Sequence, residues 1–278
     1  MSVRDLVELT KPRITIMVVA TGLVGVAMAP GSLAPARALA WLLGMTLLVG
    51  GANALNMWWE RDTDAKMERT RHRPLPAGRL QPRNALLFGL GLSGLATALL
   101  SSCNLLTGLL GLLSSVVYVL VYTPLKRRTP YALHCGAVAG AMPPLLGWTA
   151  LTNAVDGPGL VLFAILFLWQ LPHFVAIAMF RADEYAEAGL RVGQVGRRAR
   201  LLLAGYVLPV VAASLLPILL GMAGDRYLAC SLLLGLAFVG FGAIGLRASA
   251  DARWARSVFG YSMLYLVGLF VVLVADRV

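Results

Sequence analysis

Apolar residues in this chain come in runs too long for one face of a soluble helix. Nine such runs, at roughly 14–32, 37–57, 84–102, 105–123, 131–152, 158–180, 200–221, 226–246 and 256–275, are separated by short polar stretches. A helix needs about 20 largely apolar residues to cross the hydrocarbon core of a membrane, where each backbone amide must be satisfied within its own segment. The pattern predicts an all-α integral membrane protein with nine transmembrane helices. No low-complexity or long soluble segment interrupts it, so residues 1–278 read as a single polytopic domain. Charged clusters after runs 2 and 6 suggest two related four-helix units plus one further helix. Ala27-Met28-Ala29 resembles a signal-peptide cleavage site, but Asp5, Glu8 and the Lys11-Pro12-Arg13 belt favour a retained first span.

Composition strengthens this reading. Charged residues make up 13% of the chain, against about 25% in soluble domains, and the mean hydropathy is +0.77. The net charge of +11 does not point to nucleic acid, because the basic residues sit in short clusters between apolar runs. Cys103, Cys135 and Cys230 lie inside apolar runs without zinc-like spacing and read as reduced packing residues. The N-terminus and the loops after runs 2, 4, 6 and 8 hold 21 of the 24 Lys and Arg residues, leaving Arg37, Arg226 and Arg277 on the other side. By the positive-inside rule the N-terminus is cytoplasmic, and a bacterial-type inner membrane is the expected location.

Acidic residues contribute little to orientation, so their clustering needs another cause. Glu60, Asp62, Asp64 and Glu68 follow run 2, while Asp183, Glu184 and Glu187 follow run 6. If the second helix continues past the membrane, Asn56, Glu60 and Asp64 recur every four residues on one face, with Asp62 pointing elsewhere. An amide and two carboxylates are hard oxygen donors of the kind that suit Mg²⁺. Arg69, Arg71, Arg73 and Arg79 follow closely, and arginine's planar fork suits phosphate. Acids for a metal beside arginines for phosphate describe a metal–diphosphate site. Tyr122 and Lys126, four apart, could reach one phosphate or serve as an ordinary interfacial pair. His173, beside Pro172, reads either as a functional intramembrane histidine or as one bonded to a carbonyl freed by the proline. Gly136 and Gly140 read as close helix packing, with a ligand-facing role as the alternative. Arg197 and Arg198 are read as topogenic only.

At these residues the sequence resembles the UbiA-type intramembrane prenyltransferases, and within them their haem-farnesylating branch. Asn56-x-x-x-Glu60-x-x-x-Asp64 resembles the first acidic motif of that superfamily, and "ERTRHRPLPAGRL" (68–80) its basic continuation. "LTKPRI" (9–14), "YTPLKRRTP" (122–130), "MPPLLGW" (142–148) and "WQLPHFVAIAMFRADEYAEAG" (169–189) carry the likeness to the haem branch. Glu60 and Glu184 stand where Asp is usual, His134 where Asn is usual, and "LRVGQVGRR" (190–198) replaces a proline-containing stretch. The resemblance implies transfer of the farnesyl group of farnesyl diphosphate to a vinyl group of haem b, giving haem O and diphosphate with Mg²⁺ as cofactor. It implies catalytic roles for Asn56, Glu60, Asp64, Lys126 and Glu184. The diphosphate would lie against Arg13, Arg69, Arg73, Tyr122 and Lys126. Metal ligands would be Asn56, Glu60, Asp64, Asp183 and Glu184, and His173 would touch haem. A downstream haem-modifying membrane enzyme is the implied protein partner. An aromatic, quinone-precursor or chlorin acceptor is the runner-up; a secondary transporter is more distant, since its ionisable residues would sit near span centres.

Overall fold

The computed structural model describes residues 2–191, 196–247 and 251–278, and among them the regular structure is helical, apart from one isolated bridge between Ala223 and Arg277. Part of the unusual 190–198 stretch, residues 192–195, lies outside the described residues. The helices are α1 (Val3–Leu9), α2 (Pro12–Met28), α3 (Pro35–Asp64), α4 (Pro82–Cys103) and α5 (Leu105–Val116). A π-helical turn (Val117–Tyr122) runs into α6 (Thr123–Leu125), followed by α7 (Ala132–Thr152), α8 (Gly157–Phe180) and α9 (Ala182–Glu187). The chain closes with α10 (Gly196–Ala213), α11 (Leu216–Leu219), α12 (Asp225–Ile244) and α13 (Ala252–Ala275). Proline at the first turns of α2, α3, α4 and α8 starts these helices where the missing amide costs nothing.

Seven helical segments are long and apolar enough to cross a membrane, or eight if α1 and α2, bent by 47°, form one span. The expected nine runs each coincide with a helix; the one outside this set is α7, whose residues from Ala141 to Ala150 are all buried. Wrapped by its neighbours, α7 needs no continuous lipid-facing surface and accommodates Pro143 and Pro144. Elsewhere leucine and valine point outward, with Leu233 and Leu236 each 71% exposed. Such apolar exposure on many helices marks a multi-pass membrane protein.

Two apolar cores meet at α7. One joins Val19, Trp41, Met45, Leu100, Met142 and Leu146; the other joins Trp148 to Ile165, Val207, Phe238 and Tyr265. The seam between α2 and α7 is too close for side chains. A Cβ on Gly25 would lie 1.8 Å from the Pro144 carbonyl oxygen, and one on Gly147 would lie 2.1 Å from that of Gly22. Trp41 Nε1 locks α3 to this seam by donating to the Leu146 carbonyl at 3.1 Å. α7 therefore fixes α3 on one side and α8 on the other, the two helices that lead into the acidic motifs.

Candidate active site

The 30-residue α3 continues to Asp64, so Asn56, Glu60 and Asp64 do share a face, and all three are buried. The Asp62 side chain, on another face, is 77% exposed and lies 3.7 Å from Arg61. The buried acids are each held by a cation. Lys126 Nζ lies 2.7 Å from Glu60 Oε1, and Arg73 Nη1 lies 2.7 Å from Asp64 Oδ2. Asn56 Nδ2 donates to Glu60 Oε2 at 2.9 Å and to Thr123 Oγ1 at 3.1 Å. The Thr70 hydroxyl donates to the Asp64 carbonyl at 2.8 Å and so holds the basic loop against the end of α3. Arg127 bonds Thr63 on the same turn.

The second motif closes onto the first. Arg69 Nε reaches Glu184 Oε1 at 3.2 Å, while Arg181 Nη1 holds Glu184 Oε2 at 2.7 Å. Asp183 is exposed and lines a cavity of about 330 Å³ with Glu184, Arg181 and Arg256. Lys126 Nζ also stands 4.8 Å from the centre of the Tyr122 ring, which packs over Gly136. The π-helical turn just before, a distortion frequent at functional sites, brings Tyr122 and Thr123 to this edge. Burial opposes the charge on Lys126, but the Tyr122 oxygen and the Glu60 carboxylate outweigh it and raise its pKa above the usual lysine value.

Other expected residues stand differently. Arg13 is exposed on the first turn of α2, and its neighbour Lys11 joins the group instead, its Nζ donating to Asn56 Oδ1 at 3.1 Å. Lys11 has a left-handed backbone, φ 47° and ψ 65°, an uncommon strain for a side chain of this type. His173 is buried with its ring centre 4.6 Å from those of both Trp169 and Phe259. Its Nδ1 lies 2.8 Å from Ser262 Oγ on α13, so its partner is neither the carbonyl freed by Pro172 nor the acidic motifs. Gly136 and Gly140 face the side chains of Tyr122 and Gln170, which makes them packing glycines. Lys11, Thr123 and Arg181 escaped sequence reasoning; only Arg181, three residues before Glu184, carried a local signal.

Among the described residues no three His, Cys, Asp or Glu side chains converge as a ready metal site. The donor chemistry nonetheless fits a hard cation: the face offers one amide oxygen and two buried carboxylates, and Glu184 lies across from it on the other side of Arg69.

The sequence profile of the UbiA prenyltransferase family matches residues 18–267. The chain belongs to the UbiA prenyltransferase family. It is 49% identical to the Protoheme IX farnesyltransferase of Myxococcus xanthus over 99% of this chain and 95% of that protein. Among solved structures, a digeranylgeranylglyceryl phosphate synthase superposes with a TM-score of 0.84 at 16% identity, covering 98% of this chain and 97% of that one. A UbiA homologue from Archaeoglobus fulgidus bound to GPP and Mg²⁺ gives 0.67 at 17% identity, covering 97% and 99%. At these identities the structures establish the shared helical fold. Membership of a prenyltransferase family, carried by the profile match and the relative at 49% identity, tells against the transporter alternative.

Proposed function

We infer that this UbiA-family chain transfers the farnesyl group of farnesyl diphosphate to a vinyl group of haem b, releasing diphosphate and forming haem O. The near full-length likeness to the Myxococcus xanthus Protoheme IX farnesyltransferase carries this reading. The 21-to-3 bias of basic residues supports an inner-membrane protein whose active site opens to the cytoplasm.

Asn56, Glu60 and Asp64, with Glu184 and Asp183 opposite, would hold Mg²⁺, which supplies Lewis-acid stabilisation of the departing diphosphate. Arg69, Arg73 and Lys126 would turn from their carboxylates to the diphosphate oxygens, with Tyr122 and Lys11 at the edge. As the bond between the farnesyl C1 and oxygen breaks, its electron pair leaves with the diphosphate. Fixed cations beside those oxygens stabilise the charge where it grows. The allylic carbon is then attacked by the vinyl π electrons, and a water molecule adds to the resulting cation beside the porphyrin and loses a proton. One feature of the chain favours the transfer: the acids and cations of the two motifs are gathered into one paired cluster beside apolar helices.

The test is incubation of purified protein with haem b, farnesyl diphosphate and Mg²⁺, with haem O sought by mass. Diphosphate release with prenylation of an aromatic acid or quinone precursor, and none of haem b, would replace this acceptor by the runner-up.

A further inference from the structure

A second cavity lies beside the paired acids and cations of the candidate active site. It measures about 230 Å³ and opens between α7, α8 and α10. Leu133 and Leu171 help to form an apolar floor, while Arg191, Arg198, His134 and Tyr206 supply its polar groups. One wall is tied to the active site, because the Arg191 amide donates to the Lys126 carbonyl at 2.9 Å. Both guanidinium groups are exposed, and among the described residues neither has a carboxylate within ion-pair distance. By contrast Lys126, Arg73, Arg69 and Arg181 are each paired with a carboxylate.

The histidine adds an independent sign. His134 Nε2 lies 2.9 Å from the Tyr206 hydroxyl, whereas Nδ1 is buried without a hydrogen-bond partner among the described residues. A buried polar atom left unmade is unfavourable, so a native one implies a missing partner. If Tyr206 donates to Nε2, then Nδ1 carries the hydrogen and needs an acceptor. Two guanidinium groups without carboxylate partners above an apolar floor, beside an imidazole nitrogen that donates in that tautomer, suit a carboxylate carried on an apolar body.

We propose that Arg191, Arg198 and His134 form a carboxylate subsite that receives the propionate edge of the tetrapyrrole acceptor. This rests on the acceptor reading given above. It gives Arg198 a role beyond topology.

Haem b and its dimethyl ester, which lacks the two free carboxylates, separate the possibilities. Binding is followed by Soret absorbance with protein in phosphatidylcholine nanodiscs, together with steady-state kinetics. The wild type should bind haem b about tenfold more tightly than the ester, as expected of charge-assisted hydrogen bonds. In Arg191→Gln/Arg198→Gln that preference should vanish, with haem b falling to the ester's affinity and the ester unaffected. KM for haem b should rise while KM for farnesyl diphosphate stays constant, which also shows that the variant is folded. Arg191→Lys/Arg198→Lys should recover most of the preference.

Equal loss of both ligands, or a preference for haem b that survives in the double Gln variant, would overturn the subsite. So would a wild type that binds diacid and diester alike. If phosphatidylglycerol nanodiscs weaken haem b binding to the wild type but not to the Gln variant, the arginines hold a lipid phosphate and the assignment is lost. Arginine-dependent binding of haem b without any haem O would leave the subsite standing and refute the acceptor reading. Haem O formed with indifference to the ester would do the reverse.

Discussion

Arg73 gives the sharpest test of how charge placement, rather than charge count, serves this site. Its Nη1 holds Asp64 Oδ2 at 2.7 Å, with the arginine side chain 20% exposed and the aspartate 2%. One donor of the fork is thereby used, and the remaining donors are free to face a second anion. In Arg73→Lys the ammonium can keep the pair with Asp64 and preserves the positive-inside balance. Once turned to the diphosphate, it cannot present two parallel donors to two phosphate oxygens as the planar fork does. The lost contact is a charge-assisted hydrogen bond, worth about 1–3 kcal/mol. In turnover efficiency that corresponds to roughly 5- to 150-fold.

Arg197 supplies the control. It is exposed at the start of α10, so Arg197→Lys changes the same chemistry where no anion is expected. Steady-state kinetics with varied farnesyl diphosphate should show the loss in kcat/KM for Arg73→Lys and wild-type behaviour for Arg197→Lys. Thermal unfolding of the two variants should agree within about 1 kcal/mol, since the Asp64 partner is retained. Equal, small kinetic effects at both positions would refute the reasoning and reduce the basic loop after α3 to a topogenic device.

Three further outcomes follow from the same geometry. Glu60→Gln, Asp64→Asn and Glu184→Gln should each abolish turnover in protein that still inserts, while Asp62→Asn, on the exposed face, should be mild; comparable losses at Asp62 and Asp64 in the haem O assay would discredit the shared face. Lys11→Ala should lower kcat/KM by about 1–2 kcal/mol, the scale of one hydrogen bond to a charged group, and Arg13→Ala much less, because only Lys11 reaches Asn56; kinetics showing the opposite order would return the role to Arg13. Removing divalent metal with a chelator should stop turnover and added Mg²⁺ should restore it, whereas activity that persists after exhaustive chelation would exclude Mg²⁺ as the cofactor.

The helices were legible because lipid imposes length and apolarity on each segment by itself. The row Asn56, Glu60, Asp64 was legible for a similar reason: four-residue spacing is local, and α3 stays helical to its end. What could not be read depends on contacts across the chain. Arg69 meets Glu184 115 residues away, and Lys11 meets Asn56 45 residues away through a left-handed turn that no sequence pattern announces. His173 and Glu184 are parted by a break at Arg181, where φ is −117° and ψ is 19°. His173 instead finds Ser262 on α13, one of the helices that carry no recognisable motif. α7 was legible as an apolar run, yet hydropathy does not announce its central burial, which includes a backbone-to-backbone approach of α2 at Gly22 and Gly25.

The gathering of both signs of charge at the end of one apolar helix has a physical reason in these pairings. Glu60 with Lys126, Asp64 with Arg73, and Glu184 with Arg69 and Arg181 keep buried and partly buried charges compensated, which a site next to a low-dielectric bundle requires. An isolated buried carboxylate would instead take up a proton and lose its affinity for a metal. On the proposed function each pair has two exchangeable halves: a divalent cation can replace the lysine or arginine beside the acid, and a diphosphate oxygen can replace the acid beside the cation. A metal–diphosphate complex brings both replacements together, so local charge stays nearly balanced while every side chain changes partner. Free diphosphate, or metal alone, would satisfy only one half and leave the other exposed. The paired arrangement therefore favours the complex over either component.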